Sequence, residues 1–562
     1  MRWILKPKPE SEKVQALAKS LSVSEGIAYL LVQRGITTYA QAKDFFRPSL
    51  AQLHDPFLMR DMDLAVERIQ HALCTQQNIL VYGDYDVDGT TAVSLMSSYL
   101  LTHTLNVATY IPDRYAEGYG VSYQGIDFAA DNGFDLIIAL DCGIKAIDKV
   151  AYAKEKGIDF IICDHHRPGE QIPDAVAVLD PKRDDCDYPY KELCGCGVGF
   201  KLIQALGSRL GETFEYWMPY LDLVAIAIGA DIVPITGENR VLAYFGLQQV
   251  NQDPRPGIAA LMKQAEKPKM TVTDLVFTVA PRINAAGRME HGQYAVTLLT
   301  AQDLESAQEI ALGIEQFNSD RRETDKIITQ QALDQITELG EEGRHTTVVY
   351  DPQWHKGVIG IVASRLIETY YRPTLVFTKS GDKLAASARS VKGFDVYAAL
   401  EQCQEHIIQF GGHKYAAGLT LTEAQYPLFK AKFEEVVAQT LPKQLREPEI
   451  QIDQSLDLVD ISPKFYRILK QFAPFGPGNM APVFLSEGVY DTGYGRPVGE
   501  DEKHLKLTIA QQGSQPIGAI GFGLGDKWPL ASGKKPVDIV YCLDENHWQG
   551  VTKLQLRLRD LR

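Results

Sequence analysis

Cysteine is scarce in this sequence. Eight thiols in 562 residues are too few and too scattered for a disulfide framework. The one close pair, Cys194 and Cys196, has a single residue between its members. Cys186 lies nearby, so a small metal site and ordinary packing both remain open there. Long apolar runs are missing too. The most apolar window, Leu221 to Ile235, carries Asp222 and Asp231, and charges of that kind are costly in lipid. The opening MRWILKPKPE has no apolar stretch of the sort that directs secretion. The expectation is therefore a cytoplasmic chain with no membrane association. Excess positive charge is also lacking. A net charge of −15 argues against broad, nonspecific nucleic-acid binding, while leaving room for a basic groove on one face.

What is present is an ordinary globular composition with patterned segments. Residues 1–70 read as a helical N-terminal segment. From Asn78, apolar runs at Ile79–Tyr82, Val107–Ile111, Leu136–Leu140, Phe160–Cys163 and Val176–Leu179 alternate with helical stretches. That alternation predicts a parallel α/β sheet over 71–300, covered on both faces, whose ligand crevice lies beyond the carboxyl ends of its strands. A helical connector follows over 301–344, with Gly313 as a weak point for straightness. A smaller α/β domain spans 345–445. A β-rich domain, read as an OB-like barrel, fills 446–562, with Tyr494 and Trp548 as candidate base-stacking aromatics.

The chemistry concentrates at strand ends. Val81–Leu95, VYGDYDVDGTTAVSL, runs an apolar strand into Asp84, Asp86 and Asp88, then a glycine and a helix. Carboxylates so close repel one another, and a hard divalent cation removes the conflict. No glutamate stands where a calcium loop needs one. A second strand ends in Asp141, and a third in Asp164-His165-His166; Asp231 follows another apolar run. If the strands are neighbours, these groups converge on one crevice. Imidazole beside carboxylate suits Mn²⁺ better than an all-oxygen Mg²⁺ site would, and two ions sharing a carboxylate would suit phosphodiester hydrolysis. Farther on, PRINAAGR (281–288) reads as a phosphate-contacting loop, and Gly411-Gly412-His413 as a glycine turn where an anion approaches the backbone. No P-loop pattern is present.

The ordered set GDYDVDG, LDCG, DHH and the late GGH resembles the DHH phosphoesterase superfamily. LCGCGVGFKL, LDLVAIAIGADIVPI, PRINAAGRM, WHKGVIGIVASRL and SARSVKGFDVYAAL resemble its RecJ family of single-strand-specific 5′ exonucleases. The resemblance implies a DHH domain, a long helix, a DHHA1 domain and an OB-like barrel. It implies that Asp86, Asp88, Asp141, His165 and Asp231 hold two Mn²⁺ or Mg²⁺ ions, with Asp141 bridging. Asp84 would stand close behind them, and His166 would orient substrate. It further implies that Arg114, Arg282, Asn284, Arg288, Ser387, Arg389, Gly411, Gly412 and His413 bind the DNA backbone or its 5′ end. The expected activity is 5′-to-3′ hydrolysis of single-stranded DNA to mononucleotides in DNA repair and recombination. A single-strand-binding protein or a helicase is a possible partner, and the chain is expected to act as a monomer. The competing readings are a phosphodiesterase for short oligonucleotides or cyclic dinucleotides, and, more distantly, a noncatalytic replication scaffold.

Overall fold

The computed structural model describes all 562 residues, except for the side chain of Trp548; the stacking role considered for that residue lies outside the described residues. The first sheet has five parallel strands in the order Val107–Tyr110, Ile79–Gly83, Leu136–Leu140, Asp159–Cys163, Ala177–Leu179. Two of its central strands, Ile79–Gly83 and Leu136–Leu140, are buried at every position, as expected where helices cover both faces. On one face Leu80, Ile137 and Ile162 pack with Ile126 and Val150. On the other, Val81, Ile138 and Ile161 pack beneath the helices Val87–Leu100, Gly195–Leu210 and Leu221–Ala230. The last of these helices is the most apolar segment of the chain, buried from Leu221 through Gly229. Among the described residues, no helix is long and apolar enough to cross a membrane.

Leu304–Glu338 is one continuous helix of 35 residues, about 50 Å long at 1.5 Å per residue. Asp303 caps it through Ser306 N–H. Gly313 does not break it, and the position faces open space. The first half buries Ala307, Ala311 and Ile314 against the domain of the first sheet. The second half buries Ile328, Ala332 and Ile336 against Trp354, Val362 and Val376 of the next domain. The helix is thus a spacer with a different partner at each end. The second sheet runs in the order Gln409–His413, Ala416–Leu421, Lys383–Arg389, Thr374–Ser380, Thr347–Tyr350.

The C-terminal domain is a seven-stranded β structure. Its core is shared with the start of the chain: Val14, Leu17, Ile27, Leu30 and Leu31 pack with Phe465, Phe484, Tyr541 and Leu556. The strand Arg2–Leu5 pairs in parallel with Glu449–Ile452, and Trp3 Nε1 donates to Asp560. The N-terminal helices therefore complete the barrel domain. Nothing local in their own sequence points to that partner, because the pairing spans more than 400 residues.

Candidate metal centre and phosphate cleft

The three central strands that end in Asp84, Asp141 and Asp164-His165-His166 are immediate neighbours. Their carboxyl ends thus open on one crevice. His165 Nε2 lies 3.1 Å from Asp141 Oδ1, 3.7 Å from Asp88 Oδ2 and 3.6 Å from Asp231 Oδ2. Two groups are spaced to hold a cation, Asp88–His165–Asp231 and Asp141–His165–His166. Among the described residues, no thiol joins either. Cys194 Sγ instead accepts from Gly197 N–H at a helix start, and Cys186 Sγ accepts from Arg60 N–H.

Each ligand candidate is held by local structure. Asp88 sits in the first turn of the helix Val87–Leu100. Its carboxylate accepts from Gly195 N–H at 2.6 Å and Cys196 N–H at 2.7 Å, the orphan donors of another helix N-terminus. A side chain on Gly195 would come within 2.5 Å of Asp141 Cβ, so only glycine admits that approach. Asp141 adopts φ +60°, a conformation few non-glycine residues take outside functional sites. Asp86 is the N-cap of the same helix and accepts from Gly89 N–H. Asp84 is fully buried behind it. Asp231 ends the helix Leu221–Ala230.

The electrostatics are those of a site short of positive charge. Burial first, and then repulsion from neighbouring aspartates, pushes Asp88 up to about 7 and both Asp84 and Asp231 up to about 8. Asp141 is raised well above the usual carboxylate range, again by burial first and then by the neighbouring aspartates. Burial and the neighbouring His166 lower His165 to about 3, so it is a neutral imidazole able to ligate. Asp141 Oδ1 and both nitrogens of His165 are buried without a hydrogen-bond partner. Buried polar atoms rarely stay unpaired, and a cation beside Asp141 Oδ1 and His165 Nε2, which lie 3.1 Å apart, satisfies those two.

Arg114 lies near Asp84, and Arg288 near Asp86. The Arg114 guanidinium lies 3.8 Å over the Tyr85 ring and donates to Gly287 O. Arg288 donates to Gly357 O. Burial and the nearby Arg114, Arg389 and Arg321 lower it to about 10, a cationic concentration that favours an anion. Arg389 donates to Ser387 Oγ at 2.9 Å, and Gly360 leaves room beside both groups. The two α/β domains therefore contribute to one basic pocket. PRINAAGR is not a loop: Ala280–Met289 is an α-helix preceded by a π-helical turn at Leu275–Val279. The helical turn separates its two arginines. Arg282 bonds Glu315 of the long helix and Thr278 O, so it does not join Arg288. Asn284 Oδ1 is buried without a partner. Gly411-Gly412-His413 is likewise not a turn but part of the edge strand Gln409–His413. It lines a cleft of about 580 Å³ with Tyr119, Lys145, Asp164 and His166. Across that cleft His413 faces His166, and burial followed by that neighbour lowers its pKa.

The chain matches the DHH family N-terminal domain over residues 78–228, the DHHA1 domain over 343–439 and the RecJ OB domain over 452–560. It is 37% identical over 570 residues to the single-stranded-DNA-specific exonuclease RecJ of Bacillus subtilis, covering 100% of this chain and 70% of that relative. It is 34% identical to the enzyme of the same name from Escherichia coli, covering 88% of this chain and 89% of that one. This chain belongs to the RecJ family of single-stranded-DNA-specific exonucleases. The crystal structure of RecJ in complex with Mn²⁺ from Thermus thermophilus superposes with a TM-score of 0.86 at 28% identity, over 100% of this chain and 79% of that one.

Two further residues stand beside the candidate ligands: Asp164, a strand-end group with no role assigned from the sequence, and Tyr119. Asp164 accepts from His165 N–H, His166 N–H and His166 Nδ1, and its other oxygen accepts from Ile144 N–H. Tyr119 OH lies 3.2 Å from His166 Nε2. Asp164 was visible as the first letter of the DHH motif. Tyr119, 47 residues from His166, carried no sequence signal.

Proposed function

We propose that this chain is a divalent-metal-dependent exonuclease that hydrolyses phosphodiester bonds of single-stranded DNA, entering at the 5′ end. The observation that carries the reading is His165 Nε2 within 3.1–3.7 Å of three carboxylates, one at the neighbouring strand end and two on helices over the sheet, with unpaired buried atoms among them. Asp86, Asp88, Asp141, His165 and Asp231 would hold two Mn²⁺ or Mg²⁺ ions, an oxygen-rich set with one imidazole. Ions of this kind make water acidic enough to attack at neutral pH and draw charge from the phosphate.

The chain's own groups do the rest. Asp164 counters the burial of His166, whose pKa is raised to about 9. In the metal-free protein His166 is then a cation at neutral pH, and its ring borders the cleft where a non-bridging phosphate oxygen would lie. Tyr119 and His413 border the same cleft and confine that oxygen. Arg114, Arg288, Ser387 and Arg389 would form an end stop for a terminal phosphate. A strand anchored there by its 5′ phosphate would present its first internucleotide bond to the centre. The site is assembled within one chain, which supports action as a monomer.

Duplexes with separate 5′ and 3′ single-stranded tails, labelled at both ends and incubated with Mn²⁺, test this reading. The expected result is loss of the 5′ tail as mononucleotides with the 3′ tail intact. Preferential cleavage of di- to pentanucleotides or cyclic dinucleotides over the tails would overturn it in favour of a short-substrate phosphodiesterase.

A further inference from the structure

Three consecutive buried polar residues, Glu238, Asn239 and Arg240, open the helix Gly237–Gln252. Polar side chains are seldom buried in a row, and each of these reaches a different part of the molecule. Glu238 faces the catalytic-sheet domain. It accepts from Tyr188 OH at 2.6 Å and His54 N–H at 2.9 Å, and pairs with the fully buried Lys201 at 3.2 Å.

Asn239 joins two loops of the metal centre. Its Nδ2 donates to Glu192 O at 2.5 Å and Pro234 O at 3.0 Å. Glu192 stands three residues before Gly195, whose N–H holds Asp88. Pro234 stands three residues after Asp231. One amide therefore fixes the spacing between the loops that present Asp88 and Asp231. The second loop needs such fixing. Ile232 has φ +61° and is 67% exposed, and a β-branched residue in that conformation is strained.

Arg240 reaches outward to the barrel domain. It donates to Phe472 O at 2.9 Å, Ala473 O at 3.1 Å and Phe45 O at 2.9 Å, and lies 3.9 Å over the Phe45 ring. Among the described residues it meets no carboxylate. A cage of carbonyls around a buried cation is directional, because it forms only when the turn at 472–474 is seated. The same turn region continues into the metal-centre loop: Ile235 N–H donates to Pro477 O at 2.7 Å.

We propose that Asn239 and Arg240 are positioning residues that make the seating of the barrel domain and the placement of Asp231 relative to Asp88 a single event. The inference rests on the reading of Asp88 and Asp231 as metal ligands. Loss of the Arg240 cage frees the turn at 472–477. Its strand-like bond to Ile235 then loosens, and the strained Asp231 loop relaxes away from His165.

The test uses the full-length protein with Arg240→Ala, Arg240→Lys, Asn239→Asp and, as a control on the underlying reading, Asp231→Ala. Hydrogen exchange of the metal-free protein reports the loops, and calorimetric titration with MnCl₂ reports the site. Steady-state cleavage of a single-stranded oligonucleotide separates kcat from KM. Arg240→Ala is expected to raise exchange at 231–236 and at 472–478 together. It should weaken Mn²⁺ binding about 10-fold and lower kcat about 10-fold, with KM for DNA changed less than about 3-fold. Arg240→Lys should recover part of each loss. Asn239→Asp, which sets a carboxylate against two carbonyls, should weaken Mn²⁺ binding without raising exchange at 472–478. Faster exchange at 472–478 with unchanged Mn²⁺ affinity and kcat would overturn the coupling, as would Asn239→Asp with wild-type Mn²⁺ affinity. Full Mn²⁺ affinity and activity in Asp231→Ala would instead remove the reading beneath it.

Discussion

His166 Nδ1 donates to Asp164 Oδ1 at 2.7 Å, and this bond sets the charge of the imidazole that faces the cleft. Burial works to lower His166, and the Asp164 carboxylate overrides it and raises the group to about 9. Burial likewise works to raise Asp164, yet its hydrogen bonds and the imidazolium hold it at about 2. The stabilising contribution of the pair is fully present below the unfolded histidine value of about 6.5 and is lost as pH rises through about 9. On the acid side it is present above the unfolded aspartate value of about 3.9 and is lost as pH falls through about 2. Asp164→Asn removes the negative partner. NMR titration of the metal-free variant should show His166 fall toward its ordinary range, and cleavage should drop about 10- to 100-fold. A His166 that still titrates near 9 in Asp164→Asn would show that another group supplies the shift.

The aspartate cluster has the opposite consequence for the metal-free protein. Asp88, Asp84 and Asp231 titrate near 7 to 8 when folded, against about 3.9 in an unfolded chain. Between those values the folded state holds protons that the unfolded state has released. This contribution to stability is therefore lost as pH rises through 7 to 8. Divalent ions bind the deprotonated form, so their stabilising effect should grow over the same window. Thermal denaturation from pH 5 to 9, with and without saturating Mn²⁺, reads both trends. A metal-induced shift in Tm that is flat across that range would contradict the assignment of these groups.

Asp141→Ala should reduce hydrolysis by at least about 100-fold while changing affinity for single-stranded DNA less than about 3-fold, because the arginines and the barrel are untouched. Cleavage assays and fluorescence anisotropy in Ca²⁺ or EDTA separate the two effects. Near-normal hydrolysis by the variant would remove Asp141 from the centre.

Arg288 and Arg282 lie six residues apart and should behave differently. Arg288→Ala removes a cation from the pocket shared with Arg114 and Arg389. It should weaken DNA binding and reduce the slope of log K against log salt by about 0.7 for a single strand. Arg282→Ala breaks a pair with Glu315 at 2.5 Å. It should cost about 1 kcal/mol of stability or less and leave the salt slope unchanged. Chemical denaturation and binding titrations at several salt concentrations measure both. Equal slopes for Arg288→Ala and the wild-type protein would contradict a phosphate contact.

Much of the centre is legible in the sequence because the governing rule is local. An apolar run followed by a carboxylate puts that carboxylate at a strand end, and parallel strands joined by helices put such ends on one side. Asp84, Asp141 and His165 follow from that rule alone. Asp231 is harder, because a carboxylate after a helix looks the same whether it caps the helix or binds a ligand. Only packing of Leu221–Ala230 over the sheet decides. Arg282 and Arg288 cannot be told apart in sequence because PRINAAGR has the small residues of a loop. Its helical form depends on burial of Ile283 and Ala286. The N-terminal helices and Tyr119 depend on contacts distant in sequence, to which no periodicity is sensitive.

Anomalous diffraction from crystals grown with Mn²⁺ tests the central claim most directly. The expected result is one or two anomalous peaks enclosed by Asp88, Asp141, His165 and Asp231, with Asp86 completing the oxygen ligands. Peaks confined to other parts of the molecule, with these four side chains bonded only to protein and water, would contradict it.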